Sequence, residues 1–198
     1  MFEPWVGDNY YSTTEGPRTL ILGESHYGDH HIQYGYDLRK KTKLCIQQQI
    51  DGTWRSRFYT KIVSTIVGYR PTADEKKVFW HRVAYHNLIT SPLTGSRRAR
   101  SYTQWQESLP TLSGVLESLK PDYVVVLGYR MWRQVASLPS IRDVTEITDT
   151  GPCGVRAFGT CYFHGIMHPS GPYSPLRWHA FIRSAKQQLW PATHERND

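Results

Sequence analysis

His168 follows the apolar run CYFHGIM and is followed at once by a proline. The run reads as a buried strand, and Pro169 cannot donate to a ladder, so the strand is expected to stop at His168. The imidazole then stands at a strand's carboxyl end, the rim where ligands bind in open parallel sheets. Three other segments carry polar chemistry to the same rim. GESHYG follows the first predicted strand and brings Glu24, Ser25, His26 and Tyr27; Asn87 lies near the end of the second; Gly128, Tyr129 and Arg130 follow the third. An imidazole fixed there can donate to an oxygen on which negative charge develops. A carboxylate can orient water, and an amide offers a donor and an acceptor together. Each residue also has an ordinary reading, as a turn histidine, a rim carboxylate or a satisfied structural amide. Their convergence on one rim is what points to a site.

Four apolar runs must position these groups: RTLILG (18–23), RVAYHNLI (82–89), DYVVVLG (122–128) and CYFHGIM (161–167). Helical patterns lie between and after them, at 58–67, at 110–119 with Pro110 in the first turn, at 131–138 and at 174–190. Strands alternating with helices imply right-handed crossovers and a parallel sheet covered on both faces. Residues 144–158 read as a hairpin or loop leading into the last strand. The long polar segment between GESHYG and Phe58 reads as a functional loop.

With 198 residues and 39% hydrophobic content, a single globular domain over 1–198 is expected. A formal charge of +7 and a pI near 9.4 suit a polyanionic partner. Cys45, Cys153 and Cys161 form no CxxC pair, which argues against a disulfide framework and a four-cysteine metal site. No apolar run approaches a membrane span and no signal pattern opens the chain, so a cytoplasmic location is expected. GESHYG lacks both the GxGxxG of a dinucleotide fingerprint and the Gly-Lys-Ser/Thr ending of a phosphate loop. His26, His30 and His31 follow no regular ligand spacing; neither a metal nor another cofactor is expected.

A Gly-polar-polar motif after strand one, a strand-two Asn, an apolar strand ending in Gly and a terminal His-Pro-Ser together resemble the uracil-DNA glycosylase superfamily, over about residues 18–185. Ser25 and His26 stand where members typically carry Asp or Asn followed by Pro. Glu24 matches the glutamate of a Gly-Glu-Ala-Pro-Gly branch whose cysteine cluster is absent here. The resemblance implies an α/β fold, a three-layer α/β/α sandwich around a central four-stranded parallel sheet. It implies N-glycosidic bond hydrolysis on a flipped-out base, with His168 bonded to the base oxygen and Glu24 orienting water, helped by Ser25 or His26. Asn87 would read the base edge, Phe58 would stack on the base, and Tyr27 and Ser170 would line the same pocket.

Arg55 and Arg57, with Arg97, Arg98 and Arg100 of GSRRARSY, would hold phosphates. Tyr173 and Leu176 fall where the family carries the wedge that fills the gap left by the base, with Arg177 beside them on a phosphate. The long segment before Phe58, rich in Tyr, His, Asp, Gln and Trp, favours a bulky base such as glucosylated 5-hydroxymethylcytosine in phage DNA. Uracil removal in repair is the alternative. A non-catalytic nucleic-acid-binding module is the reading from another class. The expected partner is single- or double-stranded DNA, bound by a monomer away from any membrane.

Overall fold

A computed structural model describes residues 3–12, 16–26, 37–89 and 101–191. The described chain runs β1 (Trp5–Val6), β2 (Thr19–Gly23), a 3-10 turn (Leu38–Lys40), α1 (Lys41–Ile50), α2 (Arg57–Val67), α3 (Ala73–Arg82) and β3 (Ala84–Asn87). It continues through α4 (Tyr102–Leu119), β4 (Tyr123–Leu127), α5 (Tyr129–Val135), β5 (Arg142–Val144), β6 (Val155–Phe158), β7 (Cys161–Ile166) and α6 (Pro175–Leu189). Among the described residues no helix is long and apolar enough to cross a membrane.

The strands form one mixed sheet in the order β1-β3-β2-β4-β7-β6-β5. β3, β2, β4 and β7 are mutually parallel, and they are the four apolar runs of the sequence. The expected four-stranded sheet is therefore widened to seven strands among the described residues. β1 adds antiparallel to β3, and the β5–β6 hairpin adds antiparallel to β7, covering edges that a four-stranded sheet would leave open.

Alternation along the parallel strands sends side chains into two cores. Leu20, Leu22, Val124, Val126 and Phe163 pack with α4 and α5. Ile21, Tyr85, Val125, Leu127 and Ile166 pack with α1, α2, α3 and α6. Burial on both faces is why these strands read as continuous apolar runs rather than as alternating ones.

Three local expectations need correction, and one helix, α3, goes beyond them. α4 begins at Tyr102, so Pro110 lies inside the helix and not in its first turn. Ser101 Oγ accepts from the Gln104 N–H, and Gln104 Oε1 accepts from the Ser101 N–H, a capping box that starts the helix upstream. Trp105, Leu109, Leu112, Leu116 and Leu119 then form one buried stripe across the proline. Burying each such side chain contributes about 1.5–3 kcal/mol, which together outweighs the hydrogen bond lost at Pro110. Residues 41–50 are helix α1 rather than loop; its buried Thr42, Ile46 and Ile50 recur every fourth residue within an otherwise polar segment. α3 was hidden in the same way, a charged helix capped by Thr72 and Glu75 whose inward residues are Phe79 and Trp80. β7 ends at Ile166, so His168 lies in the turn just past the strand.

The chain leaves β2 toward β3 through helices packed on one face. It leaves β4 toward β7 by way of α5 on the other face. The adjacent carboxyl ends of β2 and β4 thus open onto a crevice where the connections part.

Candidate active site

The β2–β3 ladder sets the first half of the site. Gly23 pairs with Asn87, and the ladder runs on as Leu88 N–H donates to Gly23 O (2.9 Å) and Ile89 N–H to Glu24 O (2.8 Å). Glycine at position 23 leaves room for the Asn87 Oδ1 and the Tyr85 hydroxyl, both of which a Cβ there would displace. Asn87 is buried, and the Tyr85 hydroxyl donates to its Oδ1 at 3.1 Å. Tyr85, two residues earlier on the same strand face, therefore sets the orientation of the amide. Tyr59 is packed edge-on against Tyr85 at 5.8 Å between centroids, and its hydroxyl is bonded to both Tyr85 and Cys45.

β4 and β7 set the second half. Gly128, at φ +116°, donates its N–H to Ile166 O at 2.8 Å and starts α5. It lies against the imidazole, since a Cβ on it would make ordinary contact with His168 Cβ at 3.4 Å and Cδ2 at 3.5 Å, and it is the positive φ that calls for glycine. The Phe58 ring lies on another side, its centroid 5.4 Å from that of His168 at a 32° tilt. The turn itself is tied down: Gly171 N–H donates to His168 O (3.0 Å), and Lys61 Nζ of α2 donates to Pro169 O (2.8 Å). Ser170 contributes its backbone, whose N–H donates to His168 Nδ1 at 3.3 Å, while its side chain is exposed.

With Nδ1 accepting from a backbone N–H, the ring proton of neutral His168 resides on Nε2. Burial pushes the His168 pKa below the usual 6.5; Glu24 opposes that shift and Arg130 adds to it. The imidazole is neutral at pH 7 and able to donate from Nε2. Glu24 is buried, with Arg130 Nη1 3.7 Å from its Oε1. The crevice between β2 and β4 thus holds a carboxylate and a guanidinium beside a neutral imidazole.

Other candidates divide. Ser25 is half-buried beside Glu24. His26 is buried, its Nε2 2.9 Å from Thr42 Oγ1, which anchors the segment after β2 to α1. Of the two wedge candidates, Leu176 is 62% exposed. Tyr173 is held in place: its hydroxyl is 2.7 Å from Thr65 Oγ1, its ring stacks on Trp178, and Lys61 Nζ lies 5.7 Å from the ring centroid. These contacts tie Tyr173 to α2 and α6, whereas Leu176 has its side chain largely in solvent. Arg55, Arg57 and Arg177 are exposed. Tyr27, Arg97, Arg98 and Arg100 lie outside the described residues.

Sequence reasoning missed Tyr85 and Lys61 as parts of the site, and it placed Gly128 and Arg130 on the rim without foreseeing what they touch. Tyr85 had a usable signal, its i−2 spacing from Asn87 on a strand. Arg130 and Lys61 acquire their partners only when non-adjacent elements meet. No protein-family model and no curated protein matches the chain.

Proposed function

We propose that this chain is a monofunctional DNA glycosylase that flips out a modified pyrimidine and hydrolyses its N-glycosidic bond. The observation that carries the reading is His168, a neutral imidazole with Nδ1 occupied by a backbone N–H, beside an aromatic ring and next to a buried carboxylate. Four parallel strands, with helices against both faces and polar groups at the carboxyl rim, support a uracil-DNA glycosylase-like layering.

The reaction places opposite demands on two ends of one bond. As C1′–N1 breaks, its electron pair passes to the base, so the sugar becomes cationic and a base carbonyl oxygen anionic. Nε2–H of His168 donates to that oxygen; one such prepositioned donor is worth on the order of 100- to 1,000-fold in rate. Glu24 stabilises the oxocarbenium-like sugar and receives a proton as water adds to C1′; that proton then passes to the departing base. Arg130 holds the Glu24 carboxylate at the crevice. Asn87, oriented by Tyr85, reads the Watson–Crick edge, and Phe58 supports the flipped ring by stacking. Leu176 fits the wedge, and Arg55, Arg57 and Arg177 fit phosphate contacts.

A bulky base such as glucosylated 5-hydroxymethylcytosine is the substrate we favour, on the length and polarity of the segment between Glu24 and Phe58. The test is incubation with DNAs bearing uracil, 5-hydroxymethylcytosine or its glucosylated form, then alkali to cut abasic sites. Alkali-labile cleavage of the glucosylated DNA alone is the expected result. Cleavage of uracil DNA alone would assign the chain to repair, and no cleavage of any of the three would remove the glycosylase reading.

A further inference from the structure

A cleft of about 1160 Å³ opens along α2, walled by the α1–α2 connection, the start of α3 and the start of α6. Its lining is mostly cationic, although Asp74 lies 3.8 Å from Lys77 Nζ and Glu75 holds the Tyr69 hydroxyl beside it. Arg55, Arg57, Lys61, Arg70, Lys76 and Lys77 line it, against a single acidic lining residue, Asp51. Two large aromatic side chains reach the solvent within it, Trp54 at 43% and Tyr69 at 49% exposure. Neither is loose. Trp54 packs edge-on against buried Tyr59 at 5.7 Å, and its carbonyl accepts from Gln49 Nε2 at 2.8 Å. The Tyr69 hydroxyl donates to Glu75 Oε1 at 3.0 Å, so the α3 capping box also braces this ring.

Three of its lining residues adjoin the candidate site in contact or in sequence. Lys61 lines it while holding Pro169 O, Arg57 lines it one residue before Phe58, and Leu176 stands at its edge.

We propose that this cleft is the track of a single DNA strand leading away from the base pocket, with Trp54 and Tyr69 as stacking platforms for unpaired bases and Arg70, Lys76 and Lys77 as phosphate contacts. This rests on the glycosylase reading for what lies at its inner end. Charge identifies the occupant as a polyanion. The braced aromatics narrow it to one with exposed flat rings, because bases within a duplex are already stacked and an acidic peptide offers no regular series of rings. Cations along a groove with aromatic faces at intervals form the general arrangement for single-stranded nucleic acid.

The test is fluorescence anisotropy of a labelled oligothymidylate, a matching duplex and a polyglutamate peptide, titrated with the full chain across a salt series. The variants are Arg70→Ala/Lys77→Ala and Trp54→Ala/Tyr69→Ala, with Trp54→Phe/Tyr69→Phe as the conservative pair and circular dichroism as the check on folding. Removing two phosphate contacts should reduce the slope of log affinity against log salt by about 1.4. Removing the rings should weaken oligothymidylate binding about tenfold or more, with the phenylalanine pair restoring most of it. Wild-type slope and affinity in both folded alanine variants would overturn the proposal, as would duplex or polyglutamate binding that depends on the rings as strongly as oligothymidylate binding does. Single-turnover base release at saturating enzyme separates this proposal from the reading beneath it. Weakened strand binding without base release from any DNA would sink the glycosylase and leave the strand track. Normal base release with unaltered strand binding would sink the track alone.

Discussion

Acid should unfold this protein through two histidines that lie under the site rather than in it. His86 and His164 are both fully buried, and burial pushes each from the usual 6.5 down to about 4. In the unfolded chain both titrate near 6.5. Between these values the unfolded state binds more protons than the folded state. Stability is therefore complete above about pH 6.5 and declines as pH falls toward about 4. At about 1.36 kcal/mol per unit, each histidine accounts for a loss of about 2 kcal/mol at pH 5 and about 3 kcal/mol at pH 4. Two such losses are a large part of the roughly 5–15 kcal/mol that holds an ordinary domain together.

The two residues can be told apart. Among the described residues neither ring nitrogen of His86 has a hydrogen-bond partner, whereas His164 Nδ1 lies 2.6 Å from the Tyr123 hydroxyl and its Nε2 2.6 Å from Thr150 O. His86→Leu therefore leaves no orphaned group. In urea titrations it should match or exceed the wild type at pH 7.5, and its advantage should grow by about 2 kcal/mol at pH 5. His164→Leu should lose about 2 kcal/mol or more already at pH 7.5, because two buried polar groups lose their partner. Parallel stability curves for His86→Leu and the wild type between pH 7.5 and 5 would refute the reasoning.

The site offers sharper tests of chemistry than of stability. His168→Ala should fold and bind DNA but release base on the order of 100- to 1,000-fold more slowly in single turnover; a lowered melting temperature with an unchanged rate would make His168 structural. Because burial and Arg130 hold its pKa below 6.5 while Glu24 opposes them, base release should fall in acid with a midpoint below 6.5. Arg130→Gln should raise that midpoint and Glu24→Gln should lower it, as read from pH–rate profiles of the residual activity. Tyr85→Phe removes the donor to Asn87 Oδ1; it should cost about 1 kcal/mol in urea unfolding and narrow the ratio of kcat/KM between two pyrimidines more than it lowers kcat. Gly128→Ala forces a side chain into φ +116° against His168, so it should destabilise by about 1–2 kcal/mol and slow base release while leaving oligonucleotide affinity unchanged.

What the sequence made legible follows from the range over which each physical signal acts. Strands buried on both faces announce themselves locally, so TLILG, AYHN, YVVVL and CYFHGI could all be placed within a residue or two. α1 and α3 could not, because three or fewer inward residues in a polar helix leave only a faint period. Pro110 misled for a related reason: a local rule about proline yielded to a stripe of apolar residues on both sides of it. The two-residue β1 strand carries almost no pattern of its own and exists through its pairing with β3.

The site divides along the same line. That His168, Glu24 and Asn87 share a rim follows from their places after successive strands, with no need of strand order. That Arg130 faces Glu24 does not, since it requires β4 to lie beside β2 while β3 takes the other side. Strand order is thus what turns separate rim residues into a charged crevice. It also explains why Tyr173 and Leu176, three residues apart and equally plausible as wedges in the sequence, differ in the folded chain. α2 reaches across to hold Tyr173 through Thr65 and Lys61, and leaves Leu176 at the surface.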